Sequence, residues 1–205
     1  SVMGSTTKDV AISASLDGEI FVWSIKDFHV INKFIVDTPI YDILLPDSLK
    51  NSKLFLDKSS IRTTTDRGND ELVLVVGKKS SITAASNNAS NKECKVVIYD
   101  IAADKVRRRV SSVRSAKHCV GTLVVGNEEY LMIGTKRSIM SYSLHTRQHG
   151  PKITTNTGSI TCITTCQATG VVITGHEKGE ITVWHNMPQW IRSNALVDND
   201  ESASY

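Results

Sequence analysis

No apolar run in this sequence approaches the roughly 18–20 residues that a helix needs to cross a bilayer. The opening residues, SVMGSTTKD, contain no apolar stretch of the kind that marks a cleaved secretory signal. Position 1 is Ser rather than Met, which fits a processed chain or a segment of a longer one. The four cysteines, Cys94, Cys119, Cys162 and Cys166, form no CxxC pair and show no disulfide-framework spacing. They read as reduced, buried thiols of an intracellular protein. Catalytic signatures are missing as well. There is no GxSxG elbow, no P-loop, and no GxGxxG between a strand and a helix. The histidines, His29, His118, His145, His149, His176 and His185, match no HExxH or comparable zinc spacing. His145 and His149 are four apart, but His149-Gly150-Pro151 is turn-like, which argues against a shared helical face. Asp9, Asp17 and Asp27 are scattered rather than paired. Neither an enzyme, a metal, a cofactor nor a small-molecule substrate is expected.

What remains is an ordinary globular composition. Hydrophobic residues make up 40% and charged residues 22% of the 205 positions, enough apolar material for a sizeable core. The formal net charge of +3 does not by itself imply nucleic acid.

The strongest positive signal is internal repetition. Residues 11–23 read AISASLDGEIFVW and residues 172–184 read VITGHEKGEITVW. Gly18 aligns with Gly179, Glu19 with Glu180, Ile20 with Ile181, and Val22-Trp23 with Val183-Trp184, at an offset of 161. Two weaker copies end at Tyr99 and Tyr142. Tyr99 to Tyr142 is 43 residues and Tyr142 to Trp184 is 42, whereas Trp23 to Tyr99 is 76. A spacing of about 40–45 residues is that of a WD repeat, one propeller blade per repeat. Polar stretches at 46–70 and 78–93, rich in Ser, Asn, Thr and Lys, account for the long interval and read as loop insertions.

Each unit reads as short strands separated by turns. Asp17-Gly18 and Lys178-Gly179 supply the positive φ that a tight hairpin needs. In Ile20-Phe21-Val22-Trp23, alternation puts Ile20 and Val22 on one face and Phe21 and Trp23 on the other. The near-continuous apolar pattern suggests strands buried on both faces between neighbouring blades. Residues 29–36 fit an outer strand, and residues 160–165 fit the strand that opens the last unit. A turn of helix is conceivable at 49–61, but Val, Ile and Thr dominate elsewhere.

The expected fold is therefore all-β: a partial WD40-type β-propeller of about four blades, the first represented mainly by its later strands. The segment spans 1–190, and 191–205 reads as an acidic linker or tail. Four units fall short of the usual six to eight, and an open arc would leave strand edges bare. An N-terminal portion of a longer propeller, or an assembly partner over the open edges, is expected.

The blocks ending at Trp23 and Trp184, with Lys33-Phe34-Ile35-Val36 after the first and ITCIT at 160–164 before the second, resemble the WD repeat-containing protein 75 family. The Gly175-His176 pair inside the second strand, and Gly126-Asn127-Glu128 before Tyr130, fit that likeness. The resemblance, which includes the family's fungal counterpart, implies the UTP-A (t-UTP) complex of the small-subunit processome. It would make the chain a nucleolar scaffold whose partners are other UTP-A subunits, processome proteins and the 5′ region of pre-ribosomal RNA. The implied role is support of pre-rRNA processing and rRNA transcription. There are departures. The repeats end Trp23-Ser24 and Trp184-His185 rather than Trp-Asp, and Lys178 replaces the turn aspartate. The Asp–His–Ser–Trp network usual in a WD blade is thus incomplete.

Outside the repeat, one cluster stands out: Lys105, Arg107, Arg108, Arg109, Arg114 and Lys117. Phosphate binding needs such clustered cations. A solvated connection between blades is the blander explanation, since charge runs usually face water. No aromatic is interleaved, so any RNA contact would be to the backbone rather than by base stacking. His176 is expected to serve packing and hydrogen bonding within its blade. Cys162 and Cys166, at period two, could share one strand face, with a core role favoured over a metal or redox one. A generic WD adaptor that recruits peptide partners, of ubiquitin-ligase or trafficking type, is the competing function. The fold alone cannot separate the two.

Overall fold

A computed structural model describes residues 2–5, 10–45, 71–77, 94–101, 103–113 and 119–195. The insertions at 46–70 and 78–93, the suggested turn of helix at 49–61, Arg114, Lys117, and 196–205 of the tail lie outside the described residues.

The described chain is almost entirely antiparallel sheet, arranged in two compact units, 1–116 and 117–205. The first unit holds two four-stranded sheets. One consists of β1 (Val2–Ser5), β2 (Val10–Ala14), β3 (Glu19–Ser24) and β4 (Val30–Ile35) in that spatial order. The other consists of β5 (Ile40–Leu44), β6 (Glu71–Val76), β7 (Cys94–Asp100) and β8 (Lys105–Val113). In the second unit, β9 (Cys119–Val125), β10 (Glu128–Gly134), β11 (Ser138–Ser143) and β12 (His149–Thr154) form a third sheet. The fourth has three strands, β13 (Ile160–Cys166), β14 (Val171–His176) and β15 (Ile181–Trp184). Every sheet is a meander of sequential neighbours, the blade topology that the repeat implies. The first sheet is more complete than the sequence suggests, because residues 2–5 pair with β2 along its length.

Local chemistry explains the strand ends. Gly18 has φ +87° and Gly179 has φ +85° at equivalent hairpins, a conformation that costs glycine little. At Gly18 a Cβ would lie 1.9 Å from the carbonyl oxygen of Val36, so backbone approach also demands glycine there. The end aromatics Trp23, Tyr99, Tyr142 and Trp184 all fall on the third strand of their sheets.

Each unit has its own core. Ile12, Ile20, Val22 and Phe34 of the first sheet pack with Leu72, Leu74, Val97 and Tyr99 of the second. Leu123, Met132 and Ile139 of the third pack with Ile160 and Val172 of the fourth. Burying each such aliphatic side chain stabilises by about 1.5–3 kcal/mol relative to exposure.

After β15 the chain forms α1 (Met187–Ala195) instead of a fourth strand. Pro188 is tolerated in the first helical turn, where backbone N–H groups lack intrahelical partners. Met187 and Ile191, four apart and so on one helix face, are both buried in the second unit's core. Arg192 lies in the last turn, where a cation complements the helix dipole. No described helix is long and apolar enough to cross a membrane.

Two expectations need correction. Strands β6 and β7 are buried on both faces, but β3 and β15 are not: Trp23 is exposed, as are Ile181 and Val183. Cys94 and Cys119 are buried, yet Cys162 and Cys166 are exposed. These two do share one face of β13, but that face has no sheet of its own unit packed against it.

Candidate interaction surface

Three features could carry chemistry: the cations of β8, the polar cluster around His176, and the uncovered sheet faces. The cations are not on a connection. Lys105, Arg107, Arg108 and Arg109 all lie on β8, the outer strand of its sheet, and all are exposed. Register shifts between Val96/Val97 and between Ile98/Tyr99 interrupt the pairing of β7 with β8. Lys105 pairs with Asp100, Arg108 with Ile98 and Arg109 with Val97, and Arg107 falls at one of the irregularities. Such a bulge re-aims side chains that strict alternation would separate.

The guanidinium of Arg107 has a structural task. Its Nη1 donates to Oε1 of Glu71 at 2.7 Å and lies 3.9 Å from Oδ2 of Asp100. The Glu71 side chain is only 7% exposed, so Arg107 compensates a nearly buried carboxylate. Lys105, Arg108 and Arg109 are the cations better suited to an external anion. At the head of the same strand, Asp104 sits at φ 50° and accepts a hydrogen bond from the Tyr99 hydroxyl. Burial, with help from that acceptor, pushes the Tyr99 phenol well above its ordinary range.

In the fourth sheet, the Trp184 indole N–H donates to Thr174 Oγ1 at 2.9 Å. Thr174 Oγ1 is in turn 3.0 Å from His176 Nε2, and Thr182 Oγ1 is 3.1 Å from the same nitrogen. Thr157 Oγ1 lies 3.1 Å from Nδ1. His176 is 4% exposed, so these threonines meet the hydrogen-bonding needs of a buried imidazole. The cluster takes the place of the Asp–His–Ser–Trp network, with His176 on the second strand itself. It belongs to the interior of the sheet, as expected from the sequence. Among the described residues, no group of three or more His, Cys, Asp or Glu is placed to hold a metal ion.

The uncovered faces were not singled out by sequence reasoning. The exposed side chains of Ile181 and Val183 share a face with Cys162 and Cys166. Cys166 accepts from Thr169, which holds its thiol below the usual range. The only advance signal was the need to cover an open propeller end, and that signal does not say which residues form the face.

No family model matches the chain, and no curated protein matches it. Solved structures do. The WD40 β-propeller domain of Doa1 superimposes with a TM-score of 0.55 at 15% identity, over 91% of this chain and 50% of that one. The chain thus spans about half the length of that structure. The computationally designed Ika4 protein matches with a TM-score of 0.48 at 14% identity, over 87% of this chain and 86% of that one. With the meander sheets and the recurring third-strand aromatic, the Doa1 match leads to one conclusion: the chain has the WD40-type β-propeller fold, in a partial form.

Proposed function

We propose that this chain is a non-enzymatic interaction scaffold and that it serves a pre-ribosomal ribonucleoprotein, the small-subunit processome of the nucleolus. The propeller fold favours a scaffold in general, because it offers several loop and strand surfaces on a rigid core. The likeness of the blocks ending at Trp23 and Trp184 to the WD repeat-containing protein 75 family carries the choice of assembly. Its partners are then the other UTP-A subunits and processome proteins, with the 5′ region of pre-rRNA as the RNA within reach. The role is support of pre-rRNA processing and rRNA transcription.

Lys105, Arg108 and Arg109 on β8 are the described residues that favour RNA contact. They would meet phosphates, giving a salt-dependent, sequence-tolerant interaction. The experiment is to capture the full-length protein from cells and sequence the crosslinked RNA. Enrichment of the pre-rRNA 5′ region and nucleolar staining are expected. Recovery of peptide partners outside the nucleolus with no pre-rRNA would replace this reading with a peptide-recruiting adaptor. The combined variant Lys105→Glu, Arg108→Glu and Arg109→Glu tests the strand itself. Arg107 is left intact, because a carboxylate there would face Glu71 and confound binding with folding. Crosslinking should fall severalfold, and an unchanged signal would remove β8 from the RNA interface.

A further inference from the structure

The cations of β8 run directly into two serines. Residues 105–113 read KVRRRVSSV. Arg108 and Arg109 stand three and two positions before Ser111, and Arg107 and Arg109 stand five and three before Ser112. Serines that follow arginines at such spacings suit kinases whose substrate grooves carry carboxylates. A carboxylate holds a guanidinium through two parallel hydrogen bonds, so the arginines fix the register of the serine in the groove.

The strand is suited to that use. Kinases grip a substrate as extended chain, and β8 is extended already. It is the outer strand of its sheet and pairs along one edge only, with β7. Register shifts at Ile98/Tyr99 and at Val96/Val97 interrupt this pairing on either side of Arg108-Arg109. Lifting an edge segment locally costs less where the ladder is already broken. Arg108 and Arg109 are exposed, so an acidic groove can reach them in the folded chain.

The same register gives a phosphate cationic neighbours. Ser111 pairs with Val96 and Arg108 with Ile98, whereas Ser112 pairs with Lys95 and Arg109 with Val97. Each serine is therefore two β7 positions from an arginine, about 7 Å along the strand. Ser112 is also the direct register partner of Lys95.

We propose that the Ser111-Ser112 pair is a phosphorylation site for an arginine-directed serine kinase, and that the phosphate switches off anion binding by β8. The serine Oγ attacks the γ-phosphorus of the Mg-ATP held by the kinase. A new O–P bond forms, the bond from that phosphorus to the oxygen shared with the β-phosphate breaks, and ADP leaves. The hydroxyl proton passes to the base of the kinase. Arg107 is committed to Glu71, so Lys105, Arg108 and Arg109 are the β8 cations that remain for an external anion. A phosphoserine carries about −1.5 to −2 at neutral pH and so offsets roughly two of these three charges. The modification stands by itself; the switch rests on the RNA reading of β8.

The test is phosphorylation of the folded full chain by the catalytic subunit of cyclic-AMP-dependent protein kinase, with tandem mass spectrometry to locate the phosphate. Near-stoichiometric incorporation at Ser111 or Ser112 is expected. Arg108→Ala with Arg109→Ala should slow it about tenfold or more, through the loss of charge-assisted hydrogen bonds to the kinase. Far-UV circular dichroism should not change, since both side chains are already exposed. No phosphate at either serine, incorporation into a peptide of residues 105–113 but not into the folded chain, or a rate untouched by the double arginine variant would each overturn the site. Binding of an oligouridylate is then compared before and after modification. The affinity should fall with salt at a log–log slope of about 2 before phosphorylation and below about 1 after it. Ser111→Ala with Ser112→Ala, treated with the same kinase, should keep the steeper slope. Undiminished binding by the fully phosphorylated chain would overturn the switch. A chain that takes up the phosphate yet binds no RNA in either state would remove the RNA reading of β8 and leave the modification site in place.

Discussion

The indole of Trp184 donates to the hydroxyl of Thr174 at 2.9 Å, and the indole of Trp23, 161 residues earlier, donates to Ser13 at 2.8 Å. Thr174 and Ser13 are equivalent positions of the repeat, so one hydrogen bond recurs in the first and the last sheet along the sequence. Its surroundings differ. Thr174 is fully buried and shares its hydroxyl with His176, whereas Trp23 is exposed. Thr174→Val should cost about 1–3 kcal/mol, because the half-buried Trp184 N–H loses its acceptor and the buried imidazole loses one of its threonine partners. Ser13→Ala should cost under about 0.5 kcal/mol, since water replaces the acceptor. Urea denaturation of the two variants checks the difference, and equal losses would contradict it.

Glycine tolerance should differ between the two equivalent hairpins. Gly179→Ala meets open space and carries only the penalty of positive φ, about 1–2 kcal/mol. Gly18→Ala adds a clash with the Val36 carbonyl, and the backbone N–H of Val36 donates to Gly18 O at 2.8 Å across the same contact. Relief would displace the backbone at Val36–Thr38, just after β4, so the loss should exceed about 3 kcal/mol. Thermal melts of the two variants provide the comparison.

Arg107 should behave as a structural residue. Arg107→Ala removes the cation from the nearly buried Glu71 and should destabilise by about 1–2 kcal/mol, discounted for the solvent exposure of the guanidinium. Adding Glu71→Gln should recover part of that loss, because the carboxylate charge no longer needs compensation. A double-mutant cycle by chemical denaturation measures the coupling.

Alkaline pH should weaken the fold through Tyr130. Burial, together with its hydrogen bond to Glu128, pushes the Tyr130 phenol up to about 12 from 10. The neutral form is favoured in the folded chain, so this stability is fully present below pH 10. It is lost as pH rises through about 12. Tyr130→Phe should flatten the stability profile over that window. Tyrosinate absorbance against pH follows the same group directly.

Much of the fold was legible locally. The Gly–Glu–Ile–x–Val–Trp block named a hairpin, its turn glycines and the alternation of its last strand, and these appear at both β2–β3 and β14–β15. The cluster of cations was also legible as a cluster. The ion pair of Arg107 with Glu71 was not, because it joins residues 36 apart in sequence on non-adjacent strands. Nor was α1, whose nine residues bring only Met187, Trp190 and Ile191 to the core, too few to mark a helical period.

The amino-acid sequence by itself determined the strand periodicity, the turns and the number of repeating units, because each depends on a few neighbouring residues. Tertiary structure alone decided which faces are core. Ile20-Phe21-Val22-Trp23 and Ile181-Thr182-Val183-Trp184 have nearly the same pattern, yet Ile20 and Val22 are enclosed while Ile181 and Val183 meet solvent. Burial is a property of what packs against a strand, and identical strands cannot encode different neighbours.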